Sequence, residues 1–476
     1  MKQVRSLAYG PNHRWQAFAT LSVAVFISIL DLFIVNIAFP DIEREWPGAG
    51  LSGLSWVLSA YAIVLAALLV PLGRLGDLVG RRRVFEAGLA VFVLGSGLCA
   101  AAPSPELLIA ARVLQGIGAA ALTPTSLSLL LPLFPQRERP AVIGAWAALG
   151  GVGAAMGPPL GGLLVQASWR WIFVVNVPLG LITLWRVRRR FGEIRDPEAT
   201  MPDVAGGVLL AAAVALLTLG LVKGPDWGWD PRVLASFAGA MAAGIAFLVR
   251  SGRHASPVLD LGLFRSPSFS YAVAATLLFF AGFAALLLGG VLFLTQVWHY
   301  SVLRAGLGFA PGPVMAALFA APGGRLTARY GPGPVGFVGG VLFAIGAAIL
   351  IALPAVPDYA GHYLPGMLIG GAGVGLILPT FTSAAVLAVP AERLTTGIAA
   401  ETTFRQIGAA LAIAAWVALY GTPEPTRVLD AFDRGFAYMA ACSLAAALTL
   451  LVLAVRSGRR RPAATTPVPV AGGGEQ

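Results

Sequence analysis

Four charged side chains stand where charge is expensive: Asp31, Arg112, Glu401 and Arg405 each lie inside an apolar run long enough to cross a bilayer. Asp31 is the sharpest case, because the stretch from Trp15 to Phe39 is otherwise almost unbroken apolar sequence. At ~1.5 Å per residue, such a run spans a hydrocarbon core of about 30 Å. An ionised carboxylate inside it is costly unless it is paired, hydrated or protonated, so a group there that exchanges a proton is suited to proton coupling. The plainer alternative is a carboxylate that only locks its helix to a neighbour.

Arg112 supplies a partner. It lies about 9 Å into the fourth span and Asp31 about 12 Å into the first, both counted from the same face. Opposite charges at matched depth in a low-dielectric medium find each other, directly or through water. The guanidinium then favours the ionised carboxylate while desolvation favours the neutral one. A static ion pair is the alternative to a working one. Gln115, one turn beyond Arg112, can join the same network. Ile27, Ser28, Ile34, Val35 and Ala38 share the face of Asp31, whereas Asn36 is about 140° away and suits a polar tie to a different helix. In the thirteenth span, Glu401 and Arg405 lie about 6 Å and about 12 Å from the opposite face. Glu four residues before Arg is the favourable order for a pair along one helix. Either the two neutralise each other, or Glu401 is an acidic site that meets cationic substrates. Asp31, Glu401 and Arg405 are therefore the candidate substrate-facing charges.

These residues need a membrane scaffold, and the composition provides one. Of 476 residues, 57% are apolar and 12% charged, with mean hydropathy +0.80, which excludes a soluble protein of ordinary composition. Fourteen runs of spanning length fall at about 15–39, 52–72, 84–102, 106–131, 140–166, 170–188, 203–223, 233–250, 268–295, 304–323, 334–353, 361–389, 397–420 and 432–456. The first is too long for a signal-peptide core and lacks a small-residue cleavage site, so it reads as a retained helix. Alternate loops divide the basic residues 24 to seven. This asymmetry puts both termini in the cytoplasm and explains the net charge of +11 without nucleic acid. Cys99 and Cys442 fall far apart inside apolar runs and suggest neither a disulfide framework nor a metal site.

The chain also echoes itself. Gly73-Arg-Leu-Gly-Asp-Leu-Val-Gly80 follows the second span, and Gly324-Arg-Leu-Thr-Ala-Arg-Tyr-Gly331 follows the tenth. Gly116, Gly118, Pro124 and Thr125 recur 255 positions later as Gly371, Gly373, Pro379 and Thr380. Repeated halves characterise secondary transporters, with the substrate site between them. The predicted division is a six-helix bundle over 1–192, two linker helices within 193–262, a second six-helix bundle over 263–461, and a disordered cytoplasmic tail over 462–476.

LDLFIVNIAFP (Leu30 to Pro40), GRLGDLVGRRR (Gly73 to Arg83), LIAARVLQGIGAAALTP (Leu108 to Pro124), GVGAAMGPPLGG (Gly151 to Gly162) and WRWIFVVNVP (Trp169 to Pro178) occur in that order. Together they resemble the fourteen-helix drug:proton antiporter branch of the major facilitator superfamily, nearly end to end. The resemblance implies an all-α polytopic fold in the plasma membrane and proton-driven export of small hydrophobic or cationic molecules such as drugs, antibiotics or a secreted metabolite. It implies proton coupling by Asp31, Arg112 and Gln115. It also implies a cytoplasmic latch at Gly73, Asp77, Gly80 and Arg81, and an interface hinge at Gly153, Gly157, Pro158, Gly161 and Gly162.

The residues support these expectations independently. Asp77 and Arg81 are spaced for an ion pair, and Gly73, Gly76 and Gly80 permit a tight turn. Ala328 stands where the second copy would need its acid, which makes the latch one-sided and leaves Arg325 and Arg329 a topological role. Gly153, Gly157 and Gly161 form a stripe that admits a close neighbour, and Pro158 and Pro159 bend the helix. FLTQVWHYSVLRAGLGFAPG (Phe293 to Gly312) resembles the branch's link between helices nine and ten, with His299 in place of an expected glycine; it reads as an interfacial residue that could also titrate. FRQIG at 404–408 resembles the branch's thirteenth-helix motif. No GxxxxGK[ST] loop supports ATP coupling, and no cofactor or metal set is visible. An intramembrane enzyme lacks a His-rich or paired-carboxylate cluster. Uptake by the same fold is disfavoured by the fifth-span motif, and a transport-inactive sensor by the retained charges at Asp31 and Arg112.

Overall fold

The computed structural model describes residues 11–135, 138–195, 201–389 and 394–458. The expected tail over 462–476 lies outside them, as do Lys2, Arg5, Arg137, Arg393 and Arg459 to Arg461. All regular structure among the described residues is helical. The long helices are α1 (Pro11–Glu45), α2 (Trp56–Val79), α3 (Arg81–Ala101), α4 (Pro105–Leu130), α5 (Arg139–Val165), α6 (Asn176–Arg190) and α7 (Val204–Lys223). They continue as α8 (Pro231–Ser251), α9 (Pro267–Leu292), α10 (Pro311–Tyr330), α11 (Pro332–Ile349), α12 (Leu364–Leu387), α13 (Leu394–Tyr420) and α14 (Val428–Gly458). Thirteen helices among the described residues are long and apolar enough to cross a membrane. The 27-residue α5 occupies the place of the remaining expected span.

Two boundaries differ from the sequence reading. Helix α1 accommodates Pro40 and continues to Glu45, as proline is tolerated where neighbouring helices support the freed carbonyl. Helix α2 continues through Gly73, Gly76 and Asp77 to Val79, so only Gly80, with φ of 133°, makes the turn. Gly73 and Gly76 instead admit α4: a Cβ on them would lie 3.1 Å from Pro124 Cβ and 2.9 Å from Thr125 Cγ2.

The internal echo is visible in the packing. A Cβ on Gly118 of α4 would sit 2.4 Å from the Phe92 amide nitrogen of α3. One on Gly373 of α12 would sit 2.5 Å from the Phe343 nitrogen of α11. Both pairs of backbones touch because no side chain intervenes.

Helix α7 packs on α8, α2 and α13. It is tied to the first set of helices near both ends: Gly207 has space for only a hydrogen beside the Ala67 carbonyl, 2.9 Å from where its Cβ would be. At the other end Lys223 Nζ donates to Ser52 Oγ (2.9 Å), which donates to Asp226 Oδ2 (2.6 Å). At the face poor in arginine, the first and second sets of helices meet directly. Gln296 Nε2 donates to Glu43 Oε2 (3.3 Å) and Tyr420 Oη donates to Gln296 Oε1 (2.9 Å). Gly306 lies against the Pro158 carbonyl, and Gly162 against Leu303 Cα.

Candidate functional site

Helix α4 begins where the sequence says it can. Ser104 accepts from the Leu107 amide as N-cap, Pro105 occupies the first turn, and Glu106 follows at the positive end of the helix. Two turns in, Arg112 and Gln115 point at α1. Arg112 Nη1 donates to Asp31 Oδ2 and, at 2.6 Å, to Gln115 Oε1. Gln115 Nε2 donates to Asp31 Oδ1 at 2.9 Å and to Ser96 Oγ at 2.8 Å. Arg112 Nε donates to the Val57 carbonyl at 2.9 Å, and its guanidinium lies over the Tyr61 ring, 4.2 Å from the centroid. Asp31, Arg112 and Gln115 are completely buried, so the depth match read from the sequence is a direct ion pair.

Sequence reasoning missed two members of this cluster. Asn176, at the start of α6, donates to Asp31 Oδ1 (3.2 Å) and to Ser96 Oγ (3.4 Å). Its polar side chain in the apolar run WIFVVNVP was the available signal; Ser96 on α3 gave none. Asp31 thus accepts from three donors, the arrangement an ionised carboxylate needs in a dry site. Arg112 Nη2 and Asn176 Oδ1 have no hydrogen-bond partner, so the cluster holds one spare donor and one spare acceptor beside a group that can gain or lose a proton. Cys99 is packed here too, with Sγ 3.8 Å from Gln115 Oε1. Among the described residues Asn36 ties α1 to no other helix; its Nδ2 donates back to the Leu32 carbonyl at 2.9 Å, the local bond open to a short polar side chain within a helix.

The glycine stripe of α5 lies along α1. A Cβ on Gly153 would be 2.9 Å from Ile29 Cγ2, on Gly157 2.7 Å from Phe33 Cβ, and on Gly161 2.9 Å from Ile34 Cγ1. Pro158 and Gly162 of the same helix face the segment Val302–Phe309 of the second set. At the arginine-rich face, Arg81 Nε donates to Asp77 Oδ1 (2.9 Å) and Nη1 to the Ser128 carbonyl (3.0 Å). Glu193 accepts from the Arg82 and Arg83 amides, at 3.0 and 3.2 Å, capping α3. His299 adopts φ of 51°, the left-handed region that favours glycine.

In α13, Arg405 Nη2 donates to both oxygens of Glu401, at 2.8 and 2.9 Å. The carboxylate is fully covered, whereas 32% of the Arg405 side chain remains accessible. The pairing read from the sequence is present, and its exposed end is the guanidinium. That group lies over the Phe280 ring of α9 at 5.4 Å. Phe280 in turn adjoins Phe279, Phe283 and, on α12, Phe381. Among the described residues, no group of three or more His, Cys, Asp or Glu side chains could hold a metal ion.

The Major Facilitator Superfamily profile matches residues 21–413. The multidrug resistance protein Stp of Mycobacterium tuberculosis is 35% identical over 413 residues, covering 85% of this chain and 76% of that protein. The methylenomycin A resistance protein of Bacillus subtilis is 34% identical over 452 residues, covering 92% and 94%. The tetracenomycin C resistance and export protein of Streptomyces glaucescens is 32% identical, covering 88% and 77%. Among solved structures, a POT family transporter bound to a thioalcohol-conjugated peptide aligns over 93% of this chain and 96% of its own, with TM-score 0.67 and 15% identity. The nucleoside transporter NupG aligns over 92% and 99%, with TM-score 0.65 and 11% identity, a likeness of fold alone. A helical bundle with an internal two-fold echo, a buried acid–arginine cluster and a profile match along most of its length places the chain in the Major Facilitator Superfamily of membrane transporters.

Proposed function

We propose that this transporter exports small, largely apolar organic molecules from the cytoplasm in exchange for protons. It would work at the plasma membrane with the arginine-rich face and both termini inside. The observation that carries the reading is the buried cluster of Asp31, Arg112, Gln115 and Asn176. A completely buried carboxylate whose charge is held by one guanidinium and two amides can be switched by a single proton. On protonation Asp31 becomes a donor facing donors, and the cluster has to rearrange; the spare acceptor Asn176 Oδ1 and spare donor Arg112 Nη2 give it somewhere to go. In the proposed cycle Asp31 takes a proton from outside as substrate leaves, and releases it inside as substrate binds. In alternating access the two sets of helices move where Pro158 and Gly162 of α5 meet the segment Val302–Phe309, while Gly153, Gly157 and Gly161, expected at that interface, instead hold α5 close on α1 of the same set. The latch of Gly73, Asp77, Gly80 and Arg81 remakes its contacts on each turn. Relatives named for resistance and export support the outward direction.

The test is substrate accumulation in inside-out membrane vesicles. Energised vesicles are expected to concentrate substrate, and a proton uncoupler to abolish the gradient. Accumulation that survives the uncoupler, or that runs at wild-type rate in Asp31→Asn, overturns proton coupling. A susceptibility and accumulation screen in an efflux-deficient host, with and without uncoupler, supplies the substrate.

A further inference from the structure

We infer that Arg405 is the anchor for an acidic or strongly hydrogen-bond-accepting group on an aromatic substrate, which makes organic anions, rather than organic cations, the preferred cargo. This assignment rests on the export reading and names its substrate class. Of the four charges inside the spans, Asp31, Arg112 and Glu401 are completely covered, and only Arg405 keeps accessible surface. The Glu401–Arg405 pair is neutral in sum but presents its positive end. A cation approaching it meets the guanidinium first, and finds the carboxylate already accepting three hydrogen bonds from Arg405 Nε and Nη2. The guanidinium uses those two nitrogens on Glu401, and Nη1 has no protein acceptor among the described residues, so its two hydrogens are free to donate. A planar fork fixed in this way by a carboxylate is pre-organised for an oxyanion or carbonyl.

The surroundings give the second half of the argument. Phe280, under the guanidinium, is only partly buried and belongs to a cluster with Phe279, Phe283, Phe343 and Phe381 drawn from α9, α11 and α12. Phe279, Phe343 and Phe381 are buried, so Phe280 and Phe283, both partly buried, are the rings of this cluster against which a ligand's ring can stack or meet edge-to-face. A flat molecule set against Phe283 and the edge of Phe280, with an acidic substituent at its rim, meets Arg405 Nη1 and fills both requirements at once.

The test uses purified full-length protein and three probes that share one ring: 9-anthracenecarboxylate, 9-anthracenemethanol and 9-anthracenemethylammonium. Binding is measured at equilibrium by fluorescence, with no pH gradient. The carboxylate is expected to bind most tightly. Arg405→Gln is expected to weaken it about 10- to 100-fold, with Arg405→Lys between and the alcohol changed less than about threefold. Since Arg405→Gln strands Glu401, the double variant Glu401→Gln/Arg405→Gln is measured alongside and must show the same selective loss. The assignment is overturned if the ammonium probe binds best, if the carboxylate binds the double variant as it binds wild type, or if none of the three binds. Because these measurements need no proton gradient, failure of proton-driven export would overturn the export reading and leave this result standing.

Discussion

The two halves of the repeat carry their charges in opposite ways. Asp31, Arg112, Gln115 and Asn176 on α1, α4 and α6 form a dry cluster, whereas the positions 255 residues on are Leu286, Met367, Gly370 and Ala431. The second half keeps its one intramembrane pair elsewhere, Glu401 and Arg405 on α13, where the first half has Trp146 and Gly150. The glycine stripe shows the same contrast. Gly153, Gly157 and Gly161 correspond to Gly408, Ala412 and Trp416. Trp416 is fully buried against Gly289 and Gly435, where either glycine's Cβ would lie within 2.3 Å of its ring. One copy has a sealed polar core and a helix free to lie close on its neighbour; the other has a large ring wedged into that neighbour and a partly accessible guanidinium. On the proposed reading, duplication let proton handling and substrate handling settle in different halves.

The hardest way to break this division is to remove the switch. Asp31→Asn is expected to leave folded protein in the membrane and reduce uphill export to background, whereas Leu286→Asn at the repeat-related position is expected to retain measurable proton-coupled export. Arg112→Ala leaves a carboxylate buried without its cation, which costs about 3–5 kcal/mol; a large fall in melting temperature and in yield is expected, with Arg112→Lys partly tolerated because a point charge lacks the planar fork. Gly157→Leu drives a side chain into Phe33 of α1 and is expected to cost about 1–3 kcal/mol or more and to stop transport. A Gly157→Leu protein that pumps normally would show that the close approach has no mechanical role.

Smaller changes sharpen the contrast. Asn176→Leu removes one of three donors to Asp31, a loss of about 1–3 kcal/mol for a bond to a charged group. Uphill export at a fixed pH gradient is expected to fall several-fold, while Ala431→Leu at the repeat-related position changes it less. Asp77→Asn breaks a partly exposed pair and is expected to change stability by only about 0.3–0.5 kcal/mol, yet to slow export if the latch sets the rate.

Much of this was legible in the sequence, because helix period, depth and loop charge are local properties. The spans, the pairing of Asp31 with Arg112 and that of Glu401 with Arg405 follow from counting along single helices. What counting cannot supply is which helix stands opposite. Ser96 and Asn176 belong to the cluster only because α3 and α6 flank α4 and α1, and Asn36, polar and in an identified motif, bonds its own helix instead. Gly73 and Gly76 looked like turn residues because glycine satisfies a turn and a tight helix crossing equally well; only the neighbour, Pro124 or Thr125, decides. The exposed guanidinium of Arg405 over a covered carboxylate is likewise a matter of tertiary packing, invisible to the i, i+4 rule that predicts the pair.

The attachment of α7 bears on how such a molecule can move. Fastened to α2 at Ala67 and again through Ser52, Lys223 and Asp226, it also packs on α13, so α7 bridges the two sets of helices, and on the proposed cycle one of these two contacts has to slide. The pair α7 and α8 thus covers the place where α2 meets α13. On the proposed cycle, bilayer thickness and lateral pressure are then expected to bear on turnover through α7 and α8, measurable as the transport rate in vesicles of different acyl-chain length.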